Sequence, residues 1–102
     1  HNVVVRVGDA IQGGLKAYRS GKCLYIKLLW IADGLRGQAL GKTVLSRAEA
    51  EAVARGATTA FVDTAAYQAP DFYKKCGYKE IARVPHFYGE HDRIFLRKEL
   101  VA

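Results

Sequence analysis

The sequence predicts one α/β domain built on a mixed, mostly antiparallel twisted sheet with a central β-α-β crossover. Three segments that follow one another carry this prediction: an apolar strand over 22–32, an amphipathic helix over 37–55 and a strand over 58–64. A strand that leads through a helix into a second strand makes a crossover, so these two strands should be parallel. The strands on either side, which turn signals join, should form antiparallel hairpins.

The N-terminal third of the chain reads as three strands. Residues 2–7 are rich in β-branched side chains, and a second strand is predicted over 10–19. Gly13-Gly14 inside that strand predicts a bulge or a close approach of the backbone. The third strand, 22–32, contains the run Leu28–Ile31, which is apolar on both faces and is therefore typical of a central strand.

The segment 37–55 has the period of an amphipathic helix, and Gly56 is its predicted stop. The apolar positions, which should face the core, are Leu40, Val44, Leu45, Ala48, Ala52 and Val53. The polar positions, which should face solvent, are Lys42, Ser46, Arg47, Glu49, Glu51 and Arg55.

The C-terminal part predicts a short helix and a last strand pair. The helix covers 68–76, with Pro70 near its first turn and Gly77 after its end. The strands cover 78–84 and 93–98, and the residues between them form the connection. No repeat or linker interrupts the order, so the whole chain, 1–102, is read as a single domain.

Composition and charge restrict the classes of function. The chain has 102 residues and a net charge of +6, which favours anionic partners such as nucleic acid, acidic surfaces or a phosphorylated cofactor. It contains neither an apolar run long enough for a membrane span nor a secretory signal, so a cytoplasmic protein is expected. Cys23 and Cys76 form no CxxC motif and are expected to be buried, reduced thiols. His86 and His91 lack a third ligand at a recognised spacing, so no metal site is predicted.

The segment from Leu35 to Thr43 has the features of a phosphate-binding loop. It lies between the apolar strand and the long helix, where the first helical N–H groups have no internal partners and the helix dipole is positive. Its small residues would let an anion approach, and Arg36 and Lys42 add positive charge. The alternative is a plain strand-to-helix turn whose glycines serve packing. A nucleotide-hydrolysing P-loop is disfavoured, because Arg36 stands where that motif needs glycine and 102 residues leave little room for the rest of such a domain.

Two segments resemble the motifs of one known superfamily. Arg36-Gly37-Gln38-Ala39-Leu40-Gly41 is similar to an Arg/Gln-x-x-Gly-x-Gly/Ala signature, with Ala39 in place of the first glycine. Gln68–Tyr78 resembles an A-x-x-F-Y-x-K-x-G-F/Y segment. Both occur in order and on the expected elements, so the chain resembles the GNAT superfamily of acyl-CoA-dependent N-acetyltransferases from about Val3 to Leu100.

The resemblance implies where acetyl-CoA, the expected co-substrate, would bind. The backbone near Trp30 and Ile31 would pair with the pantetheine amides and help to polarise the thioester carbonyl. The N–H groups of residues 38–42 would hold the pyrophosphate. The cofactor-binding residues implied are Trp30, Ile31, Arg36, Gly37, Gln38, Ala39, Leu40, Gly41, Lys42 and Tyr73.

The resemblance also implies a general acid. Tyr73 is the candidate, because a phenol is protonated at neutral pH and can donate to a departing thiolate. The alternative is that Tyr73 only packs against Phe72. Asp63 is the first carboxylate candidate for a general base, and Glu90 and His91 are alternatives, so the base stays open.

The implied function is transfer of an acetyl group from acetyl-CoA to a primary amine of a small molecule or protein. Members of the superfamily usually carry a strand and two helices before the strand assigned here to 2–7, and this sequence is expected to lack them. The alternative function is therefore a truncated, inactive domain that binds CoA or self-associates, and a homodimer is the simplest cover for exposed sheet surface. Neither nucleic acid nor membrane is expected as a partner, because the basic residues are scattered and no RNA-binding motif is present.

Overall fold

The computed structural model describes residues 2–7, 10–31, 38–65 and 70–101 and confirms the predicted fold class. The elements are β1 Asn2–Val7, β2 Ala10–Ser20, β3 Cys23–Ile31, α1 Gln38–Ala54, β4 Thr59–Ala65, α2 Pro70–Lys75, β5 Lys79–Tyr88 and β6 His91–Glu99. The strands form one sheet in the order β1-β2-β3-β4-β6-β5. Within the described residues β3 and β4 are the parallel pair, joined through α1, and the other neighbours are antiparallel.

Two bulges interrupt the N-terminal strands. The irregularity predicted at Gly13-Gly14 is confirmed close by, because the register between β1 and β2 shifts and leaves Gln12, beside Gly13, without a partner. A second bulge was not predicted. In β3, Ile26 and Leu28 pair with consecutive residues of β2, so Lys27 is the extra residue. A bulge bends its strand and increases the local twist.

The last hairpin is longer than the sequence predicted. Its strands run to Tyr88 and from His91, with the turn at Gly89, whose φ is 69°. The predicted connection is instead a bulged part of β5, where the register shifts between Val84 and Tyr88. Proline can lie there because β5 is an edge strand, and His86 in the bulge has a φ of 54°.

The core lies on the face of the sheet that α1 and α2 cover. Buried side chains from α1 and from the central strands form one cluster, which includes Leu24, Ile26, Val44, Leu45, Ala48, Ala52, Val62, Ile94 and Leu96. Burial of such side chains is the main source of stability for a domain of this size.

The prediction that Glu49 faces solvent is wrong, because this residue is only 8% exposed. Glu49 follows the buried Leu45 by four residues and therefore lies on the same side of the helix. The prediction of two buried thiols is also corrected, since Cys23 and Cys76 are free but only half-buried. Neither of the helices in the described part of the chain is long and apolar enough to cross a membrane.

Candidate functional site

The parallel strands β3 and β4 separate part of the way along their length. They pair from Cys23 with Thr59 to Ile26 with Val62, and no further pairing between them occurs in the described residues. The bulge at Lys27 follows directly, so β3 bends at the point where pairing ends. Beyond it, 28–31 pair with β2 and 63–65 pair with β6. We call this opening, bounded by 27–31 and 63–65, the fork.

Along the fork, the facing backbone edges of β3 and β4 do not pair with each other in the described residues. Backbone N–H and C=O groups that have lost a strand partner accept an extended, amide-containing ligand in its place. The predicted residues Trp30 and Ile31 lie at the end of the β3 arm. The fork is therefore a slot in which a ligand can hydrogen-bond as an additional strand.

The start of α1 lies at the same edge of the sheet as the fork, because α1 follows the carboxyl end of β3. Gln38, Ala39 and Leu40 open the helix, and its first turn contains no acidic residue. Lys42 is exposed one turn further on. Free N–H groups, the helix dipole and this lysine together favour an anion. The predicted Arg36 and Gly37 lie outside the described residues.

Gly41 is buried against the ring of Phe72 in α2. A Cβ at this position would stand 3.0 Å from both Cε1 and Cζ of that ring, which is closer than side-chain carbons pack. Gly41 therefore has the packing role that was given above as the alternative for the glycines of this segment. It brings α2 directly against the first turns of α1.

Tyr73 points from α2 into the core and is 7% exposed. Its ring makes edge-on contacts with Phe72 and Tyr78, with ring centres 5.3 and 5.7 Å away. No described residue hydrogen-bonds its hydroxyl. Burial, with smaller contributions from Cys76 and Asp63, raises the pKa of Tyr73 to about 12. The ring is thus fixed by packing, and the hydroxyl is protonated at neutral pH.

Asp63 belongs to a hydrogen-bonded group on the face of the sheet opposite the helices. The Tyr25 hydroxyl donates to Asp63 Oδ2 at 2.5 Å, and Arg93 Nη2 lies 2.7 Å from the same oxygen. The hydrogen bond to Asp63, together with burial, raises the pKa of Tyr25 to about 12. We call Tyr25, Asp63 and Arg93 the open-face trio. No described residue forms a hydrogen bond or ion pair with Asp63 Oδ1.

Arg93 is held by aromatic rings as well as by Asp63. Its guanidinium lies 4.8 Å from the ring centre of Phe87 and 5.3 Å from that of Phe95. Its Nε is buried without a hydrogen-bond partner. The hydrogen bond to Asp63 raises the pKa of Arg93. This guanidinium is therefore a fixed cation beside the fork.

A second group of three side chains, which we call the buried trio, lies on the face of the sheet that the helices cover. It consists of Glu49, Tyr78 and Lys98. The Tyr78 hydroxyl donates to Glu49 Oε2 at 2.7 Å, and Lys98 Nζ donates to Glu49 Oε1 at 3.0 Å. It joins α1 to β6 and to Tyr78, which lies between α2 and β5. Burial raises the pKa of Tyr78 far above its ordinary value.

Sequence reasoning selected Tyr73 and Asp63 but missed their surroundings. The sequence contains a weak signal for Tyr25 and Arg93, because a carboxylate on a largely apolar strand needs hydrogen-bond donors from neighbouring strands. Of the other candidate bases, Glu90 is exposed in the hairpin turn and His91 is exposed at the start of β6. The structure brings neither into the trio.

A separate depression of about 380 Å³ lies beside β5 and β6. Its lining consists of Gly77, Lys79, Ile81, Arg97, Lys98 and Glu99. None of these is a predicted site residue. The fork is the candidate site, because its β3 arm contains the predicted Trp30 and Ile31 and its β4 arm begins with the predicted Asp63.

Comparison with known proteins gives the family. Residues 1–78 match the acetyltransferase (GNAT) family. The chain is 37% identical over 91 residues to a blasticidin-S acetyltransferase from Streptomyces morookaense, covering 88% of this chain and 67% of that protein. It is 33% identical over 81 residues to an acetyltransferase from Agrobacterium fabrum (strain C58 / ATCC 33970), covering 78% of this chain and 59% of that protein.

A solved structure agrees. An acetyltransferase from Bacillus cereus ATCC 14579 superposes with a TM-score of 0.90 at 30% identity, over 97% of this chain and 71% of that one. The chain thus spans about two thirds of the length of these relatives. With a family match over three quarters of its residues, the chain belongs to the GNAT acetyltransferase family.

Proposed function

We propose that the protein transfers an acetyl group from acetyl-CoA to a primary amine of a small molecule or protein. The observation that carries this proposal is the fork, which opens toward the carboxyl end of β3, the strand that α1 follows in the chain. A ligand that combines an amide-containing arm with a diphosphate needs such a slot beside such a helix start. Acetyl-CoA has both parts.

The residues present fit this donor. The backbone edge of the β3 arm, which does not pair with β4 in the described residues, supplies partners for amides. The start of α1 offers N–H groups without a competing carboxylate in its first turn. Gln38 to Lys42 would hold the diphosphate, and Trp30 and Ile31 would hold the arm. When bound, acetyl-CoA supplies the activated thioester.

Two side chains are proposed for proton transfer. Tyr73 is the general acid that protonates the departing thiolate, and its raised pKa of about 12 keeps the proton available throughout the neutral range. Asp63 is the proposed general base for the acceptor amine. Its Oδ2 already accepts from Tyr25 and Arg93, so Oδ1 is the oxygen proposed to receive the proton.

The test of this function is Tyr73→Phe, which removes one hydroxyl and retains the ring contacts. We expect kcat to fall by about 10²- to 10⁴-fold, the range of general acid catalysis, while acetyl-CoA affinity changes by less than about twofold. Steady-state kinetics and calorimetric titration with acetyl-CoA measure the two quantities. Tyr18→Phe is the control, because Tyr18 is 46% exposed. A near-normal kcat in Tyr73→Phe would remove Tyr73 from the mechanism.

The relatives suggest where to look for the acceptor. The Streptomyces protein is named for blasticidin S, so blasticidin S is the first acceptor to assay, followed by a panel of small amines and peptides.

The alternative is a domain that binds CoA or self-associates without turnover. The specific observation in its favour is a set of exposed large hydrophobic side chains, which are Tyr18, Ile81, Val84, Phe87 and Tyr88. A homodimer interface is proposed to bury these side chains. Tight CoA binding with no acetylation of any acceptor, together with a dimeric solution mass, would favour this alternative.

A further inference from the structure

The hydroxyl of Tyr25 connects the two strands at the apex of the fork. Tyr25 and Phe61 are partners in the parallel ladder, and Ile26 with Val62 is the last pair. Tyr25 reaches beyond that last pair and donates to Asp63, the first residue of the β4 arm, at 2.5 Å. This hydrogen bond therefore continues the connection between β3 and β4 where their backbones stop pairing.

Asp63 is also held from its other side. Arg93 on β6 pairs with Ala65 through the backbone, but its guanidinium returns to Asp63 Oδ2 at 2.7 Å. The side chains of Asp63 and Arg93 are 18% and 26% exposed, so water screens their attraction only in part. One carboxylate oxygen thus ties three neighbouring strands, β3, β4 and β6, at the same depth in the sheet.

The ring of Tyr25 is fixed independently of its hydroxyl. It stacks on Tyr18 with ring centres 5.2 Å apart and an angle of 12° between the ring planes, and it contacts Phe61 at 5.1 Å. Lys27 Nζ, at the bulge, lies 5.2 Å from the ring centre. Replacement by phenylalanine should therefore leave the ring in place and remove the connection to Asp63 alone.

We propose that the open-face trio sets the width of the fork, and that Tyr25 is a positioning residue for the acyl donor. The inference rests on the proposed function, because the fork is taken as the slot for the arm of acetyl-CoA. Ligand amides can bridge both arms only if the arms stand at about two strand spacings, roughly 10 Å. Without the hydroxyl the arms are free to drift from that separation, and donor binding weakens before chemistry does.

The experiment is calorimetric titration of CoA into the wild type, Tyr25→Phe and Tyr18→Phe, with steady-state kinetics on each. We expect Tyr25→Phe to weaken CoA binding about five- to tenfold, since it loses a hydrogen bond to a charged group, and to change kcat less than about twofold. Tyr18→Phe is the matched control, because the ring of Tyr18 stacks on that of Tyr25 and its hydroxyl makes no hydrogen bond within the described residues. We expect it to bind CoA as the wild type does.

A double-mutant cycle with Asp63→Ala separates the connection from the general stability of the sheet. If the hydroxyl acts through Asp63, the variant that carries both changes should bind CoA within about twofold of Asp63→Ala alone. Should Tyr25→Phe fail to fold, Asp63→Ala and Arg93→Lys carry the same test, and both should weaken CoA binding.

Three results would overturn the inference. CoA binding by Tyr25→Phe equal to that of the wild type would show that the hydroxyl does not set the fork. Equal losses of CoA affinity in Tyr25→Phe and Tyr18→Phe would assign the effect to packing of the stacked rings. Additive losses of CoA affinity in the double-mutant cycle would do the same. If the wild type does not bind CoA, the proposed function itself fails and this inference fails with it.

Discussion

The two faces of the sheet carry the same chemistry in different arrangements. Each trio consists of a carboxylate, a tyrosine hydroxyl and a cation. In the buried trio both oxygens of Glu49 are used, one by Tyr78 and one by Lys98. In the open-face trio both donors approach Asp63 Oδ2, and Oδ1 has no hydrogen bond or ion pair in the described part of the chain. A carboxylate whose oxygens are both satisfied can only support the fold, whereas a partly used carboxylate remains available to a substrate.

The tyrosines show the same difference. Burial is the largest cause of the raised pKa of Tyr78, whereas for Tyr25 the hydrogen bond to Asp63 is the largest cause. The buried trio therefore depends mainly on exclusion of water. The open-face trio depends on its partners, so a ligand that engages Asp63 would also change the environment of Tyr25.

The largest expected effect is that of Glu49→Ala on stability. The change removes the acceptor for two hydrogen bonds in the core and leaves Tyr78 and Lys98 without it. We expect a loss of about 3 kcal/mol in the free energy of unfolding, measured by urea denaturation. A loss below about 1 kcal/mol would contradict the structural role given to the buried trio.

A double variant sharpens the same comparison. Glu49→Leu combined with Lys98→Met replaces the ion pair by apolar groups, and such replacements are often neutral. It should therefore be more stable than Glu49→Ala alone. Persistent instability of the double variant would indicate that the ion pair specifies the position of α1.

Alkaline pH should give an intermediate effect. The pKa of Tyr73 is raised from 10.0 to about 12 in the folded protein, because burial disfavours the phenolate. The unfolded chain releases this proton first, so the stability that it contributes is complete below pH 10 and is lost as the pH rises to 12. We expect the contribution of Tyr73 to be about 1 kcal/mol smaller at pH 11 than at pH 9.

Urea unfolding at both pH values measures this change. Tyr73→Phe should show a weaker pH dependence than the wild type. Tyr25→Phe should show the same sign with a smaller change, because Tyr25 is more exposed and solvent screens its interactions. An equal pH dependence in the wild type and both variants would contradict the assigned pKa shifts.

The smallest effect on stability is expected at an ion pair that is exposed to solvent and belongs to neither trio. Arg47 and Glu51 lie 3.5 Å apart on the surface of α1, with side chains 61% and 40% exposed. Arg47→Ala should change the free energy of unfolding by less than about 0.5 kcal/mol, since solvent screens such pairs. Urea unfolding again provides the measurement. A change as large as that of Glu49→Ala would show that burial does not distinguish these carboxylates.

The fold could be predicted because its signals are local. The period of 37–55, the glycine after each helix and the apolar third strand fix element type and order without knowledge of tertiary contacts. The role of Tyr73 was inferred from a local motif on a short helix that resembles the family's, and it stays a prediction. The parts that were missed depend on contacts between distant residues, such as Glu49 with Lys98 and Tyr25 with Asp63.

Local sequence patterns could not predict the fork. Its cause is a bulge at Lys27, where one extra residue enters a strand of otherwise ordinary composition. Nothing in the residue type distinguishes Lys27 from its neighbours, since a bulge is a property of the pairing between two strands. The same limit applies to the last hairpin, where the sequence placed a loop at Pro85 and the structure shows a bulged edge strand.

The contact between Gly41 and Phe72 has a consequence for how related sequences can vary. Substitution of this glycine brings a new side chain against an aromatic ring as well as altering the helix start. A larger residue at 41 therefore fits more readily where position 72 carries a smaller side chain. Positions 41 and 72 should therefore co-vary among related sequences, because a change at one of them alters the packing of the other.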